Sequence, residues 1–425
     1  MGDGGFDLAE FRVKDLGLAE EGLKSISWAE SRMPVLMEVK RRFERVKPLE
    51  GLVVGGCLHV TKETAVLARV LASGGATVAL CGSNPLSTQD GVAAALAQEG
   101  FHVYAWRGQS EAEYYECIRH VLDWRPGITL DDGGDLTIQL HRMGGEALKT
   151  VIGGTEETTT GVLRLRALDR DGALRYPVIA VNEAQSKSLF DNPLGTGQSA
   201  LDGVIRATNI LLAGMNVVVA GYGRVGSGIA ERARGMGARV TVVECHPIRA
   251  LKAAMSGFQV ASMAEASAYG DLFITATGDV NVIRKEHFRN MKDGAILANA
   301  GHFDVEVSKD GLAELSAEHR RISECVEEYR LRDGRRLYLL ADGRLVNLVC
   351  GEGHPSDVMD LSFSLQALCV EYLYGNKGRL PVKVLDVPED IDMEVAGLKL
   401  RCMGISLEEL TEEQRRYLSS WDLGT

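Results

Sequence analysis

The run Val217-Val218-Val219-Ala220-Gly221-Tyr222-Gly223-Arg224-Val225-Gly226 constrains this chain more than any other segment. Its apolar start reads as a buried strand, and the glycines after it are spaced Gly-x-Gly-x-x-Gly ahead of a helical pattern. Gly221 permits a tight turn, Gly223 lets backbone approach a pyrophosphate, and Gly226 lets helix and strand pack closely. Gly226 opens the helix, whose N-terminus faces the phosphates. Glu244 ends the next apolar run, near the spacing of about 20 residues at which such sites place a ribose-binding carboxylate. That carboxylate accepts hydrogen bonds from the ribose hydroxyls and would repel a 2′-phosphate, so the cofactor expected is NAD rather than NADP. Arg249 nearby is the one feature that cuts the other way.

This motif lies in the second of two alternating series. In the first, strands are expected over 52–57, 76–81, 101–105 and 128–130, with helices over 63–72, 89–98 and 111–123. Ala65, Leu67, Ala68 and Leu71 form the inward stripe of the first helix. Such an order implies a doubly wound, mainly parallel α/β sheet, with ligands bound beyond the carboxyl ends of the strands. His59, Asn84 and Asp132 would lie there. In the second series the strands are 216–220, 238–244, 271–275, 295–299 and 336–340, and the glycine-led helix is 226–235. The polar, glycine-rich connector 191–199 between the series is a candidate hinge. After residue 354 come a helix over 358–374, a proline-bounded stretch 381–388 and a charged helical tail.

Charge and length narrow the class. With 47 Lys+Arg against 59 Asp+Glu the net charge is −12, which cannot supply the counterion release that nucleic acids or anionic membranes reward. A chain of 425 residues suggests two or three domains at about 150 residues each. The start MGDGGFDLAEFRVKD has no basic stretch followed by an apolar one, so it does not read as a secretory signal. Phe6 stands where myristoylation wants Ser or Thr. The uncharged stretch 207–223 is shorter than the roughly 20 apolar residues of a membrane span. The 8 cysteines show no Cys-x-x-Cys pair and no histidines at zinc spacing, so no metal site is expected. They fit a reduced cytoplasmic protein with buried thiols.

Four further segments carry reactive side chains. Glu156-Glu157-Thr158-Thr159-Thr160-Gly161 sets two carboxylates and three hydroxyls beside a helix start, where a solvated cap is the plain reading. Lys187 and Asp191, four apart, read first as a surface salt bridge. Asn299-Ala300-Gly301-His302-Phe303-Asp304 and Gly353-His354-Pro355 each place a histidine after glycine at a strand end. Together with His59 and a bound dinucleotide, they are better explained by a redox site that also moves protons.

These strings, with Gly56 to Thr64, Asn84 to Asp90, Asp131 to Thr137 and Gly343 to Leu348, resemble the S-adenosyl-L-homocysteine hydrolase family. The resemblance implies two mainly parallel sheets: a substrate domain from residues 1–194 and 354–394, an inserted Rossmann NAD domain 195–353, and an oligomerisation tail 395–425. It also implies a cytoplasmic homotetramer that splits S-adenosyl-L-homocysteine reversibly into adenosine and L-homocysteine, using tightly held NAD. Oxidising the ribose 3′-hydroxyl to a ketone acidifies the C4′ proton, so that a thioether, otherwise a poor leaving group, can be eliminated. Water then adds to the enone and the ketone is reduced again.

By the same resemblance, Lys187 and Asp191 hold and deprotonate the 3′-hydroxyl, which calls for a lysine of lowered pKa. Asp132 and His59 handle the C4′ proton and the water at C5′, and Glu157 binds the ribose hydroxyls. Thr61 and Glu63 contact adenine, Asn84, Ser87 and Gln89 join the substrate-binding set, and His302 and His354 line the cleft. NAD is assigned to Thr158, Thr159, Thr160, Asn192, the turn from Gly221 through Gly223 to Gly228, Glu244, Arg249, Thr277, Ala300, Gly301, His302, Asn347 and His354. Because a carboxylate accepts from an amino group and not from a carbonyl, Glu63 favours adenosyl over inosyl substrate.

The chain departs from the family pattern in places. Thr196 stands where many members have a cysteine, so tuning by that thiol is absent. Glu244-Cys245-His246-Pro247 replaces the commoner Glu-Ile-Asp-Pro, and Arg249 replaces an asparagine. The end at Trp421 to Thr425 resembles the shorter thermophile and archaeal type, without the Lys- and Tyr-bearing extension that reaches a neighbouring subunit's NAD. Two rival readings are weaker. A 2-hydroxy-acid dehydrogenase needs an Arg–Glu–His set that is not found, and an inactive NAD-binding regulator would not be expected to keep Lys187, Asp191, Asp132, His59 and Glu157 together.

Overall fold

The computed structural model describes residues 10–422. Phe6 and the rest of the start before residue 10, and the last three residues, lie outside this range. The strands in chain order are β1 (Val53–Leu58), β2 (Thr77–Gly82), β3 (His102–Tyr104), β4 (Ile128–Asp131), β5 (Gly153–Glu156), β6 (Val178–Ala180), β7 (Asn216–Ala220), β8 (Arg239–Val243), β9 (Gln259–Val260), β10 (Leu272–Thr275), β11 (Ala295–Asn299), β12 (Ser316–Ser323), β13 (Val326–Leu331), β14 (Arg336–Leu340) and β15 (Val384–Leu385). They build two sheets, ordered β15-β6-β5-β4-β1-β2-β3 and β12-β13-β14-β11-β10-β7-β8-β9. The first is parallel throughout; in the second only the β12–β13–β14 edge is antiparallel. The two-sheet α/β class expected from the alternating pattern is the one observed.

The sequence periodicities translate directly. Ala65, Leu67, Ala68 and Leu71 are buried in the helix Lys62–Ser73. Ser110 and Glu113 form a reciprocal capping box that starts the helix Glu111–Asp123. β15 pairs with β6, so the chain after the second sheet returns to complete the first. On the way it forms the helix Ser356–Gly375, buried on nearly all sides against the helices Pro34–Val46 and Lys62–Ser73 and against β5. A helix this enclosed reads as apolar all round, yet it keeps Asp360, Ser362, Ser364 and Gln366 fully buried.

The connector 191–199, the candidate hinge, is helical: Asp191–Thr196 makes a π-helical turn that runs straight into the helix Gly197–Thr208. Its glycines serve close packing. A Cβ on Gly197 would lie 2.7 Å from backbone of Gly228, and one on Gly228 would lie 2.0 Å from the Pro193 carbonyl. Thiol burial also holds only in part. Cys57, Cys81, Cys117 and Cys369 are buried, Cys325 and Cys350 half-buried, and Cys245 and Cys402 exposed. Among the described residues no helix is long and apolar enough to cross a membrane.

Candidate active site

Neighbouring strands of the first sheet each deliver one polar side chain at their carboxyl ends. Along the order β6-β5-β4-β1 these are Asn182, Glu157, Asp132 and His59. They face the second sheet across a cleft of about 1290 Å³. Sites for drug-sized ligands occupy about 300–1,000 Å³, so this cleft has room for a dinucleotide and a nucleoside together. His302 follows β11 and enters from the opposite side. It passes so close to Gly133 that a Cβ there would sit 2.2 Å from His302 Nε2, and Gly133 has φ +106.

Lys187 is the centre of the cluster. Its Nζ donates to Asn182 Oδ1 at 3.0 Å and to Asn192 Oδ1 at 2.8 Å. It lies 3.2 Å from Asp191 Oδ2 and 3.8 Å from Glu157 Oε1. The surface salt bridge of the plain reading is thus a buried one. Burial by itself would lower the lysine pKa, but Asp191, Glu157 and Asp132 outweigh it and the net shift is upward. The lowered pKa expected for Lys187 is therefore overturned: the resting group is an ammonium.

Each carboxylate around it has its own support. Burial opposes the charge on Asp191, but Lys187 and His354 overcome this and hold it well below the usual carboxylate range. Ser362 donates to Asp191 Oδ2 at 2.8 Å, and His354 Nδ1 pairs with Oδ1. His354 Nε2 in turn meets Thr196 Oγ1 at 3.0 Å. The Gln366 amide donates to Glu157 Oε2 at 2.5 Å and accepts from the Thr155 hydroxyl at 2.5 Å, which fixes its orientation. Glu157 is pushed up to about 7, by burial first and then by Asp191 against the pull of Lys187.

Asp132, His59 and His302 form a second group, with ligand atoms within 4.8 Å of one another. The His59 Nε2 and His302 Nδ1 atoms lie 3.7 Å and 3.5 Å from Asp132 Oδ1, a spacing that a divalent cation could also bridge. Burial drives His59 down to about 3, helped by the charge on His354, and lowers His302 as well. Burial raises Asp132. Both imidazoles are thus neutral at rest, each with one ring nitrogen free of a proton. His59 Nδ1 is held by Ser87 Oγ at 2.7 Å.

On the second sheet the glycine turn has the shape the motif requires. Gly221 has φ +95, and nothing lies within 4 Å of where a Cβ on Gly223 would be, which leaves the backbone open to the cleft. Glu244 accepts from the Tyr222 and His246 amides at 2.8 Å each, and Arg249 Nε reaches it at 3.1 Å. Arg249 is therefore committed to Glu244 rather than free for a 2′-phosphate. Asn347 Oδ1 lines the cleft, is buried, and has no hydrogen-bond partner among the described residues. An acceptor left open in this way suits the carboxamide of a nicotinamide ring. The residues present fit NAD.

Of the residues named from sequence, most line this one cleft: His59, Thr61, Glu63, Asp132, Glu157 to Thr160, Lys187, Asp191, Asn192, Glu244, Arg249, Thr277, Ala300 to His302, Asn347 and His354, with Gly221, Gly223, Arg224, Val225 and Ser227. Asn84, Ser87 and Gln89 do not. Asn84 accepts from the Leu86 amide, Gln89 from the Lys62 amide, and Ser87 backs His59. Gly226 and Gly228 also stay behind the surface, as packing glycines. Sequence reasoning missed Asn182, Ser356, Ser362 and Gln366, and gave Glu156 no part. Glu156 Oε1 accepts from the Gly133 and Thr158 amides at 2.9 Å each, so it ties the Asp132 turn to the Thr158 cap. Ser356 donates to Glu63 Oε1 at 2.5 Å. The available signal was polar residues at helical spacing in an otherwise apolar helix, because a buried polar group needs a partner.

A dinucleotide-binding sheet facing a second parallel sheet, with a buried lysine and acid–base groups between them, defines a nicotinamide-dependent enzyme of the α/β class. Family models sharpen this: residues 10–149 match "S-adenosyl-L-homocysteine hydrolase" and residues 192–353 match "S-adenosyl-L-homocysteine hydrolase, NAD binding domain". The chain belongs to the S-adenosyl-L-homocysteine hydrolase family, and its cofactor is NAD. It is similar to the adenosylhomocysteinase of Sulfolobus acidocaldarius, 59% identical over 98% of this chain and 100% of that one. The Sulfurisphaera tokodaii adenosylhomocysteinase is 60% identical over the same shares. An S-inosyl-L-homocysteine hydrolase of Methanocaldococcus jannaschii is 53% identical, again over 98% and 100%.

Proposed function

We propose that this chain hydrolyses S-adenosyl-L-homocysteine reversibly to adenosine and L-homocysteine, with the residues around Lys187 acting on the ribose. The observation that carries this reading is the burial of a charged lysine between Asp191 and Glu157 in the same cleft as the dinucleotide-binding glycine turn. When bound, NAD supplies the acceptor and later the donor of a hydride at the ribose 3′ carbon. A resting ammonium is a donor, so Lys187 orients the 3′-oxygen and stabilises negative charge on it. The hydroxyl proton passes into the cluster of Lys187, Asp191 and Glu157, where Glu157 is poised near neutrality. Asp132, His59 and His302, on the other side, take the C4′ proton and orient water at C5′.

Thr61 and Glu63 line the cleft on the first-sheet side and take the base. Glu63 is raised by burial, against the hydrogen bond from Ser356 and the charge of Lys62. In its ionised form it accepts from an adenine amino group, which supports the adenosyl over the inosyl substrate. Assembly as a cytoplasmic homotetramer belongs to the same reading, supported by the exposed tail side chains Leu407, Leu418 and Trp421. Light scattering of the purified protein tests it, since a monomer would contradict it.

The activity is tested by thiol release. Purified protein given S-adenosyl-L-homocysteine and no added NAD should release homocysteine steadily without net NADH. NADH rising in step with substrate loss would support a dehydrogenase instead, and no release with either nucleoside thioether would remove the proposal.

A further inference from the structure

Arg107, on the side of the first sheet, crosses to the second-sheet unit at one point. Its Nη2 donates to the Val349 carbonyl at 2.7 Å, and its Nε donates to Glu324 at 2.9 Å. Two half-buried cysteines share that point. Cys325 sits in the turn between β12 and β13, and its Sγ donates to the same Val349 carbonyl at 3.6 Å. Cys350 is the residue directly after Val349, at the end of the short helix Val346–Val349, so the carbonyl that Cys325 Sγ reaches is the one bonded to the Cys350 amide.

The setting gives the two sulfurs different characters. The neighbouring Cys350 thiol, with the Arg107 charge, pulls Cys325 down to about 7 against burial. Cys350 is pushed up, by the neighbouring Cys325 and by burial. An ordinary thiol has a pKa of about 8.5, so Cys325 carries roughly tenfold more thiolate at neutral pH. A further pair, Cys57 and Cys81, is buried, and Cys57 is raised by Cys81, by burial and by Asp131. Thiolate character, access and a neighbouring second thiol coincide at the Arg107 crossing.

We propose that Cys325 and Cys350 are a redox couple, a modification site at which Cys325 attacks a small disulfide of the glutathione type and Cys350 resolves the adduct. In the first step the Cys325 thiolate forms a bond to one glutathione sulfur and expels the other as a thiolate. In the second, Cys350 gives up its proton, attacks Cys325 Sγ, and expels the second glutathione, which takes that proton up. The two protein thiols lose two electrons and the small disulfide gains them. The product pins the β12–β13 turn to the segment from which His354 reaches Asp191.

The test uses the full-length holoenzyme with oxidised glutathione, followed by mass spectrometry of the intact protein and its peptides. Wild type should lose both thiols together, keep no glutathione on either, yield a Cys325–Cys350 cross-linked peptide, and recover on reduction. Cys350→Ser should trap glutathione on Cys325, and Cys325→Ser should leave Cys350 unmodified; both variants should still release homocysteine, which shows that they fold. The exposed Cys245 and Cys402 are internal controls. Cys325 reacting no faster than these two, or glutathione remaining on Cys325 while Cys350 is present, overturns the proposal.

Discussion

Lys187 Nζ and Asp191 Oδ2 lie 3.2 Å apart with both side chains buried. Four residues of separation would put such a pair on the outside of a helix, but here the helix is interrupted. Gln185–Ser188 ends, and the π-helical turn Asp191–Thr196 begins. The break turns Asp191 towards Ser362 and His354 while leaving Lys187 between Asn182 and Asn192. Extra residues wound into a helix in this way are a recurrent device at functional sites.

His59 should leave a signature in acid stability. Its folded pKa is depressed to about 3 from an ordinary 6.5, so the unfolded chain binds its proton first. The stability it contributes is present above about 6.5 and is lost as pH falls towards 3, at about 1 kcal/mol per pH unit. Urea midpoints of wild type and His59→Asn at pH 7 and pH 5 should therefore converge as pH falls. Parallel pH dependences would show that His59 is not held neutral.

Gln366 orients Glu157 and is a positioning residue. Gln366→Leu removes a bond to a charged group worth about 1.5–3 kcal/mol, so kcat/KM should drop about 10- to 100-fold. The drop should be smaller with a 2′-deoxy substrate, whose ribose offers Glu157 less to hold. An equal loss on both substrates would point to a general structural role.

Glu63 sets the choice of base. Glu63→Gln places an N–H donor beside the acceptor, which a hypoxanthine carbonyl can use. The ratio of kcat/KM for adenosyl over inosyl substrate should fall by about tenfold, one hydrogen bond's worth. A ratio unchanged by the substitution would move base recognition to other residues.

Gly133 is where the two sheets meet through His302. Gly133→Ala adds a Cβ 2.2 Å from His302 Nε2 at a residue with φ +106, so His302 must move and the turn is strained by about 1–2 kcal/mol. Homocysteine release should fall by more than tenfold, with a lowered melting temperature. Activity close to wild type would mean that His302 is not needed in this position.

The sequence was most legible where backbone geometry is dictated locally. The glycine turn after β7, the strands β7, β11 and β14 and the helix Glu111–Asp123 were read from periodicity, turn residues and caps. The cleft residues were legible through the family resemblance, because strand ends such as His59, Asp132 and Glu157 converge only once the sheet order is known. What stayed hidden depended on tertiary burial. Their helical spacing marks Ser362 and Gln366 as polar groups in need of partners, but nothing local names those partners as Asp191 and Glu157, 171 and 209 residues away. The rise of the Lys187 pKa, likewise, is set by three carboxylates from separate segments. The same holds for Asn84, suggested by its strand-end position, and for Ser87 and Gln89, assigned by the family resemblance, whose side chains turn to backbone amides or to His59.

The most direct measurement is nicotinamide reduction by adenosine in Lys187→Ala, on protein reloaded with NAD. Glu157, with a pKa near 7, can take up a proton when the ammonium is removed, so the variant should keep its native circular dichroism. Wild type should show NADH absorbance on adding adenosine and exchange the adenosine 4′-proton with deuterated solvent. The variant should lose both by at least about 100-fold. Normal reduction and exchange in a folded Lys187→Ala protein would contradict the account.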